Sequence, residues 1–273
     1  RIVMKFGGTS IADLHRIESV AQIVKKELKK DYQIIVVVSA MVGATDELIT
    51  KIESMTKLYD AREFSAIVSS GENVTAGLLS LNLQKIGIHA RSWQGWQIPI
   101  LTSNEHSSAR ILEVKTERLN EKFSEGMEVA VVAGFQGIAS DGRITTLGRG
   151  GSDTSAVALA AAIQAERCDI YTDVDGIFTT DPRVCRRARK LSRISYEEML
   201  EMASLGAKVL QTRSVELATR YNVRLKVLSS FSDNSEGTLV CDEGDMMENN
   251  VISGVAFSRE EAKLTLSGIE DRP

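Results

Sequence analysis

Ile2-Val3-Met4-Lys5-Phe6-Gly7-Gly8, a periodic charged segment through Lys30, and Ile34-Ile35-Val36-Val37-Val38 together decide the fold class. The apolar residues Ile2, Val3, Met4 and Phe6 read as a buried strand closed by a Gly-Gly turn. Leu14, Ile17, Ala21, Val24 and Leu28 then recur at steps of three and four, which is one face of a helix. Ser10, with Asp13 three positions on, is placed to cap that helix, and Lys25, Lys26, Lys29 and Lys30 complement the dipole at its far end. The unbroken apolar run 34–38 suits a strand covered on both faces. Strand, helix and strand at this spacing predict a right-handed crossover in a parallel sheet.

The same rhythm continues outward. Helical stretches are predicted near 61–69, 72–86, 152–165 and 206–221, and strands near 88–93, 128–133, 168–172, 224–228 and 237–241. The alternation predicts an α/β protein, a three-layer αβα sandwich with a mainly parallel central sheet. From Asp242 to Asn250 the chain turns acidic and polar without periodicity, which reads as a linker. Val251 to Phe257 and Lys263 to Gly268 look like two further strand-like pieces, too little for a core of their own. The expected organisation is therefore one domain over 1–241, a linker over 242–250, and the start of a truncated second domain over 251–273.

Composition narrows the function. Of 273 residues, 43% are apolar and 26% charged, so the chain can bury a full core. With 33 basic and 37 acidic side chains the formal net charge is −4, which gives no electrostatic footprint for nucleic acid. A small anion would have to be held by a few well-placed cations. No run approaches the roughly 20 apolar residues of a membrane span. Cys168, Cys185 and Cys241 are odd in number and widely spaced, which suggests neither disulfides nor a zinc knuckle and fits a reducing cytoplasm. His15, His89 and His106 are isolated, so no transition-metal site is expected. No basic-then-apolar leader opens the chain, and Arg1 in place of an initiating Met leads us to expect preceding residues.

Ligands of open α/β sheets bind at the carboxyl ends of the strands, so the loops that follow strands carry the chemistry. Lys5-Phe6-Gly7-Gly8-Thr9-Ser10 offers backbone donors, a helix start and a full positive charge, without Walker A spacing. An ordinary strand-to-helix turn with a snorkelling lysine accounts for it equally well. Leu147-Gly148-Arg149-Gly150-Gly151-Ser152-Asp153 combines glycines, an arginine and a Ser-Asp helix start, a second candidate anion site that a plain hinge would not explain. Thr172-Asp173-Val174-Asp175-Gly176-Ile177-Phe178, continuing to Asp181-Pro182-Arg183, is rich in hydroxyls and carboxylates; it also reads as a pair of tight turns. Trp93 and Trp96 are expected to be packing anchors near the substrate side, and the basic run Arg186, Arg187, Arg189 and Lys190 a solvated face.

K-F-G-G-T-S at 5–10, V-V-S-A at 37–40, S-G-E at 70–72, T-L-G-R-G-G-S-D-T-S-A at 146–156, T-D-V-D-G-I-F-T-T-D-P-R at 172–183 and G-A-K-V-L at 206–210 occur in this order. Together they resemble the aspartokinases, within the amino acid kinases and their fold. The tail from Val251 resembles the entry into an effector-binding ACT domain. The resemblance implies transfer of the ATP γ-phosphoryl group to the β-carboxylate of L-aspartate, the first step of lysine, threonine and methionine synthesis. Such a nucleophile is already ionised at neutral pH and needs no general base, so catalysis reduces to aligning two anions and cancelling their repulsion. Like unit charges 4 Å apart repel by about 4 kcal/mol at an effective dielectric of 20, hence the need for dedicated cations.

Carried onto this sequence, the resemblance implies that Lys5 touches the transferring phosphoryl, that Gly7 and Gly8 supply backbone donors, and that Asp153 orients Lys5 and the reacting groups. Ser39 would lie near the phosphates. Thr172, Asp173, Phe178 and Arg183 would hold the nucleotide, with Lys208 and Val209 completing that pocket. Arg149 would take the aspartate α-carboxylate, Glu72 the α-ammonium, and Thr45 and Ser152 would complete substrate recognition. Mg²⁺ would bridge the ATP phosphates without a protein-held metal site. A homo-oligomer, with or without a regulatory subunit, is implied in the same way. Two departures stand out: Gly43 is displaced from the S-A-M-G pattern of some members, and Phe178 replaces a tyrosine, which leaves ring packing but no hydroxyl. Two alternatives remain, a kinase for glutamate or an acylated amino acid, and a non-catalytic nucleotide- or effector-binding subunit. An acylated substrate has no ammonium for Glu72, and a subunit without catalysis has no need of Lys5, Asp153, Arg149 and Glu72 together.

Overall fold

The computed structural model describes residues 1–207, 209–232, 236–242 and 254–256. Most of the expected linker and of the expected second domain lies outside the described residues, as does Lys208. In chain order the elements are β1 (Ile2–Phe6), α1 (Leu14–Leu28), β2 (Ile34–Val38), α2 (Ala44–Met55), α3 (Ala61–Val68), α4 (Ser70–Lys85), β3 (Ala90–Trp93), β4 (Ile100–Thr102) and β5 (Ile111–Val114). There follow α5 (Glu117–Ser124), β6 (Val129–Ala133), β7 (Gln136–Ile138), β8 (Ile144–Thr146), α6 (Gly151–Ala162), β9 (Cys168–Thr172), β10 (Arg193–Ser195), α7 (Tyr196–Ser204), α8 (Thr212–Tyr221), β11 (Leu225–Ser229) and β12 (Thr238–Cys241).

Eight strands form the central sheet in the order β10-β12-β11-β9-β1-β2-β6-β3, parallel throughout except for the β11–β12 pair. The expected αβα sandwich with a mainly parallel sheet is therefore present. Strand β1 lies at its centre: Lys5 is in register with Val37 of β2 on one side and Ile170 of β9 on the other. From β1 the chain builds outward through β2, then returns to the opposite side at β9, so the β1–β9 gap is the point where strand order reverses.

Alternation along the strands divides two cores. Ile2, Met4, Phe6, Ile34, Val36 and Val38 pack against Ile17, Val20 and Val24 of α1 and Leu79 and Leu83 of α4. Val3, Ile35 and Val37 turn to the other face, onto the Ala- and Val-rich helix α6, with α5, α7 and α8 alongside. Every residue from Gly151 to Ala160 of α6 is buried, which explains why this helix shows no polar face. Lys5 shares the face of Val3, so its ammonium emerges beside the first turn of α6.

Several boundaries differ from expectation. Asp13, not Ser10, caps α1, its carboxylate accepting from the Arg16 N–H at 2.8 Å. Gly8–Ile11 instead form one turn of 3-10 helix, so the helix end expected directly after Gly7-Gly8 is displaced by a turn. The Gly7 N–H donates to the Tyr171 carbonyl at 3.4 Å. Helix α6 is capped by Gly150 in the left-handed region, and Ser152 and Asp153 stand inside its first turn rather than capping it. The helix expected from 206 begins at Thr212. A second, four-stranded sheet in the order β5-β4-β7-β8 and helix α2 were not anticipated; with α3, which matches the helix expected near 61–69, they cover the carboxyl end of β1. Trp93 is buried in the core, but Trp96 is half exposed and anchors nothing. Among the described residues no helix is long and apolar enough to cross a membrane.

Candidate active site

A cleft of about 340 Å³ opens where the small sheet and α2–α4 meet the carboxyl end of the central sheet. Its walls include Lys5, Ser39, Thr45, Glu72, Arg149, Ser152 and Asp153, seven of the expected site residues drawn from five separate stretches of the chain. Phe64, Ser107, Phe135 and Thr146 complete it and were not predicted. Phe64 and Phe135 offer no titratable chemistry that a sequence motif could expose. Phe135 does carry a structural mark, a left-handed φ of 68° that is rare for a bulky side chain and typical of constrained functional sites.

One ion pair and one buried carboxyl group define the interior. Lys5 Nζ lies 2.6 Å from Asp153 Oδ1, both side chains nearly buried. At that separation the two form a tight ion pair, and an ammonium with three donors keeps N–H groups for a further anion. Glu72, on the first turn of α4, accepts the Ala40 N–H on Oε1 at 3.1 Å. Its other oxygen, Oε2, is buried with no hydrogen-bond partner. Burial pushes the Glu72 carboxyl up to about 7, against the opposing pull of the Ala40 N–H. Gly71 allows this approach: a Cβ there would lie 2.8 Å from the Ala40 Cβ, too close for α4 to deliver Glu72 to the loop after β2.

Arg149 is exposed on the cleft wall, and no ion pair engages it among the described residues. A buried carboxylate oxygen without a donor and a guanidinium without an acceptor thus share one cavity with a lysine–carboxylate pair. The arrangement suits a small zwitterion bearing a further anion.

Among the described residues, the other predicted ones do not line this cavity. Thr172 ends β9 and Asp173 follows it, the Thr172 hydroxyl donating to Asp173 at 3.0 Å. Phe178 is half-buried further along that loop, where it bridges to Lys190, and Val209 precedes α8. Arg183 is exposed and held by Asp181, its Nη2 2.8 Å from Oδ2. Strand β9, which leads into this loop, is tied to β1 by the stacking of Tyr171 on Phe6, ring centroids 4.6 Å apart. Among the described residues no group of three His, Cys, Asp or Glu side chains is placed to hold a metal ion.

With a mainly parallel sheet, a cleft at the carboxyl end of its central strand and a lysine–aspartate pair in it, the chain belongs to the amino acid kinase family, whose sequence profile matches residues 1–229. Within that family it is similar to aspartokinases. It is 53% identical over 272 residues to an aspartate kinase of Pseudomonas putida, matching 100% of this chain and 66% of that protein. The aspartate kinase of Synechocystis superposes with a TM-score of 0.79 at 48% identity, covering 88% of this chain and 40% of the other. Aspartokinase III of E. coli, solved in complex with aspartate and ADP, superposes with a TM-score of 0.78 at 30% identity over 88% of this chain and 64% of the other. The chain thus spans 66% of the length of its Pseudomonas putida relative.

Proposed function

We propose that this chain carries the catalytic site of an aspartate kinase, which moves the γ-phosphoryl group of ATP onto the β-carboxylate of L-aspartate to give 4-phospho-L-aspartate. The observation that carries this reading is the pairing, in one cleft, of an unpartnered buried Glu72 oxygen with an unpaired Arg149 guanidinium beside Lys5–Asp153. Glu72 takes the α-ammonium and Arg149 the α-carboxylate as a fork, with Thr45 and Ser152 bounding the amino acid. Held at that end, the substrate directs its β-carboxylate toward Lys5.

Lys5 neutralises the charge shared between the attacking carboxylate and the transferring phosphoryl, and Asp153 keeps the ammonium aimed. The small Gly7 fits this role, because a Cβ there would crowd Lys5 Nζ to 3.3 Å. Gly8 and Ser39 border the phosphates, while Thr172, Asp173, Phe178, Arg183, Lys208 and Val209 hold the nucleotide beyond β1. Mg²⁺ bound by the ATP phosphates supplies further charge neutralisation. The relative solved with aspartate and ADP supports both ligands.

To the same proposal belong a place at the start of lysine, threonine and methionine synthesis, a cytoplasmic location, and a homo-oligomer with or without a regulatory subunit. So does an effector-binding ACT module opening at 251–273, with effector control of the enzyme.

Incubating the full-length protein with ATP, Mg²⁺ and L-aspartate or L-glutamate, and trapping acyl phosphate with hydroxylamine, tests the proposal. Hydroxamate is expected with aspartate. Signal with glutamate alone overturns the substrate, and no signal with either leaves a binding subunit rather than an enzyme.

A further inference from the structure

Arg213, one residue inside α8, lies outside the cleft but grips two of its loops. Its Nη1 donates to the Leu147 carbonyl at 2.8 Å and its Nη2 to the Ala109 carbonyl at 2.6 Å. Leu147 stands two residues before Arg149, and Ala109 two residues after Ser107; Arg149 and Ser107 both line the cleft. The two loops are also tied directly, the Ala109 N–H donating to the Thr146 carbonyl at 3.0 Å. Beside this bridge, the Gln211 side chain lies on Gly150, where a Cβ would come within 2.1 Å of Gln211 Cγ.

The loop held in this way is Gly148-Arg149-Gly150-Gly151, a segment whose glycines give it unusual conformational freedom. An arginine on so free a loop would have to be ordered each time a ligand bound, which weakens binding. A planar guanidinium fork grips two carbonyls at a fixed separation, something a lysine cannot reproduce. Loop 147–150 and loop 107–109 are therefore fixed to a rigid helix before any substrate arrives.

We infer that Arg213 is a positioning residue for the amino acid end of the cleft, acting through Arg149; this rests on the reading of that cleft as the aspartate site. Arg213 touches neither substrate nor reacting atoms, so its loss weakens recognition rather than chemistry.

The test uses R213M and R213K in the full-length protein. R213M is expected to raise the aspartate KM about tenfold, with kcat and the ATP KM within about twofold of the parent. R213K, which keeps one of the two bonds, is expected to fall between. In an R149A background, R213M should raise the aspartate KM no further, because the group it positions is gone. Native-state trypsin cleavage after Arg149, followed by mass spectrometry, should accelerate in R213M. An unchanged aspartate KM in R213M, a full additional increase in the R149A background, or an unchanged rate of cleavage after Arg149 overturns the inference. If the parent protein does not phosphorylate aspartate, the reading of the cleft fails instead, and the cleavage rate, which needs no substrate, still decides whether Arg213 holds the loop.

Discussion

Lys5 Nζ and Asp153 Oδ1, 2.6 Å apart with side chains only 12% and 10% exposed, join the central strand of the sheet to the first turn of its most buried helix. The pairing follows from two periodicities. Alternation along β1 sends Lys5 to the face of Val3, where α6 packs, and Asp153 is the acidic residue in the first turn of that helix, where its charge also meets the positive end of the dipole.

Each half of that pair leaves the other as a nearly buried, unpaired charge. K5A and D153A are expected to lose turnover by about three orders of magnitude or more, since the phosphoryl charge then has no counter-charge. Each is also expected to lose about 1–3 kcal/mol of stability, read as a lower urea midpoint. Hydroxamate formation at near-parental rates in either variant would remove the pair from the chemistry.

Arg149 presents the opposite case, exposed and unpaired. R149A should change stability by less than about 0.5 kcal/mol while raising the aspartate KM strongly. R149K should restore little, because an ammonium cannot form the fork a carboxylate accepts. An unchanged aspartate KM in R149A would place the α-carboxylate elsewhere.

The elements legible in the sequence are those whose pattern is imposed by a core. Strands β2 and β6 are unbroken apolar runs because both faces are covered, β1 is interrupted only by Lys5, and α1 shows its stripe because one face packs on them. Helix α2 buries only Ile52, so the core imposes no stripe on it and no helix is predicted there. Strands β4, β7 and β8 are three residues each, too short for alternation to register, and their sheet went unseen. The site followed the same division. Lys5, Glu72, Arg149 and Asp153 were legible as charges at glycine turns or helix starts, whereas Phe64, Ser107 and Phe135 reach the cleft only through the unseen cover. Arg213 has no motif; its role comes from two carbonyls about 66 and 104 positions away.

A second charged cluster lies at the opposite end of β9. Arg167 binds Asp169 through Nε at 2.9 Å and Glu27 of α1 through Nη2 at 3.0 Å, with Asp169 almost wholly buried. Burial raises the Asp169 pKa, and Arg167 opposes that rise. R167M would leave the buried Asp169 without its hydrogen-bonded cation and Glu27 with Lys30 alone, and is expected to destabilise the fold by about 3 kcal/mol or more. An acid whose folded pKa is raised stabilises the fold at low pH and loses that contribution as pH rises through the folded value, so the deficit of R167M should widen from acidic toward neutral pH. Urea midpoints across that range read this, while the aspartate KM should stay within about twofold of the parent. A deficit that narrows with rising pH would show that the cluster is not held by Arg167.

Glu72 offers the sharpest test of the amino acid site, because burial holds its carboxyl at about 7 in the free cleft. The form that pairs with an ammonium is the ionised one, and the ammonium in turn favours ionisation, so aspartate binding lowers this pKa. At a pH about one unit below 7 most free protein carries a protonated Glu72, and binding must release that proton. The aspartate KM should therefore be flat above about pH 8 and rise by nearly tenfold per unit below about pH 6.5. Calorimetry in buffers of differing ionisation heat should record close to one proton released per aspartate at the acidic end and almost none at the alkaline end. Stability runs the other way: with a raised folded pKa, the free protein loses the Glu72 contribution as pH rises through about 7, and aspartate restores it, so ligand-induced thermal stabilisation should be larger at alkaline than at acidic pH. E72Q cannot titrate, and should show a high aspartate KM with no inflection near 7. A parental protein whose aspartate KM is level across this window, or an E72Q variant that keeps the inflection, would assign the ammonium to another group.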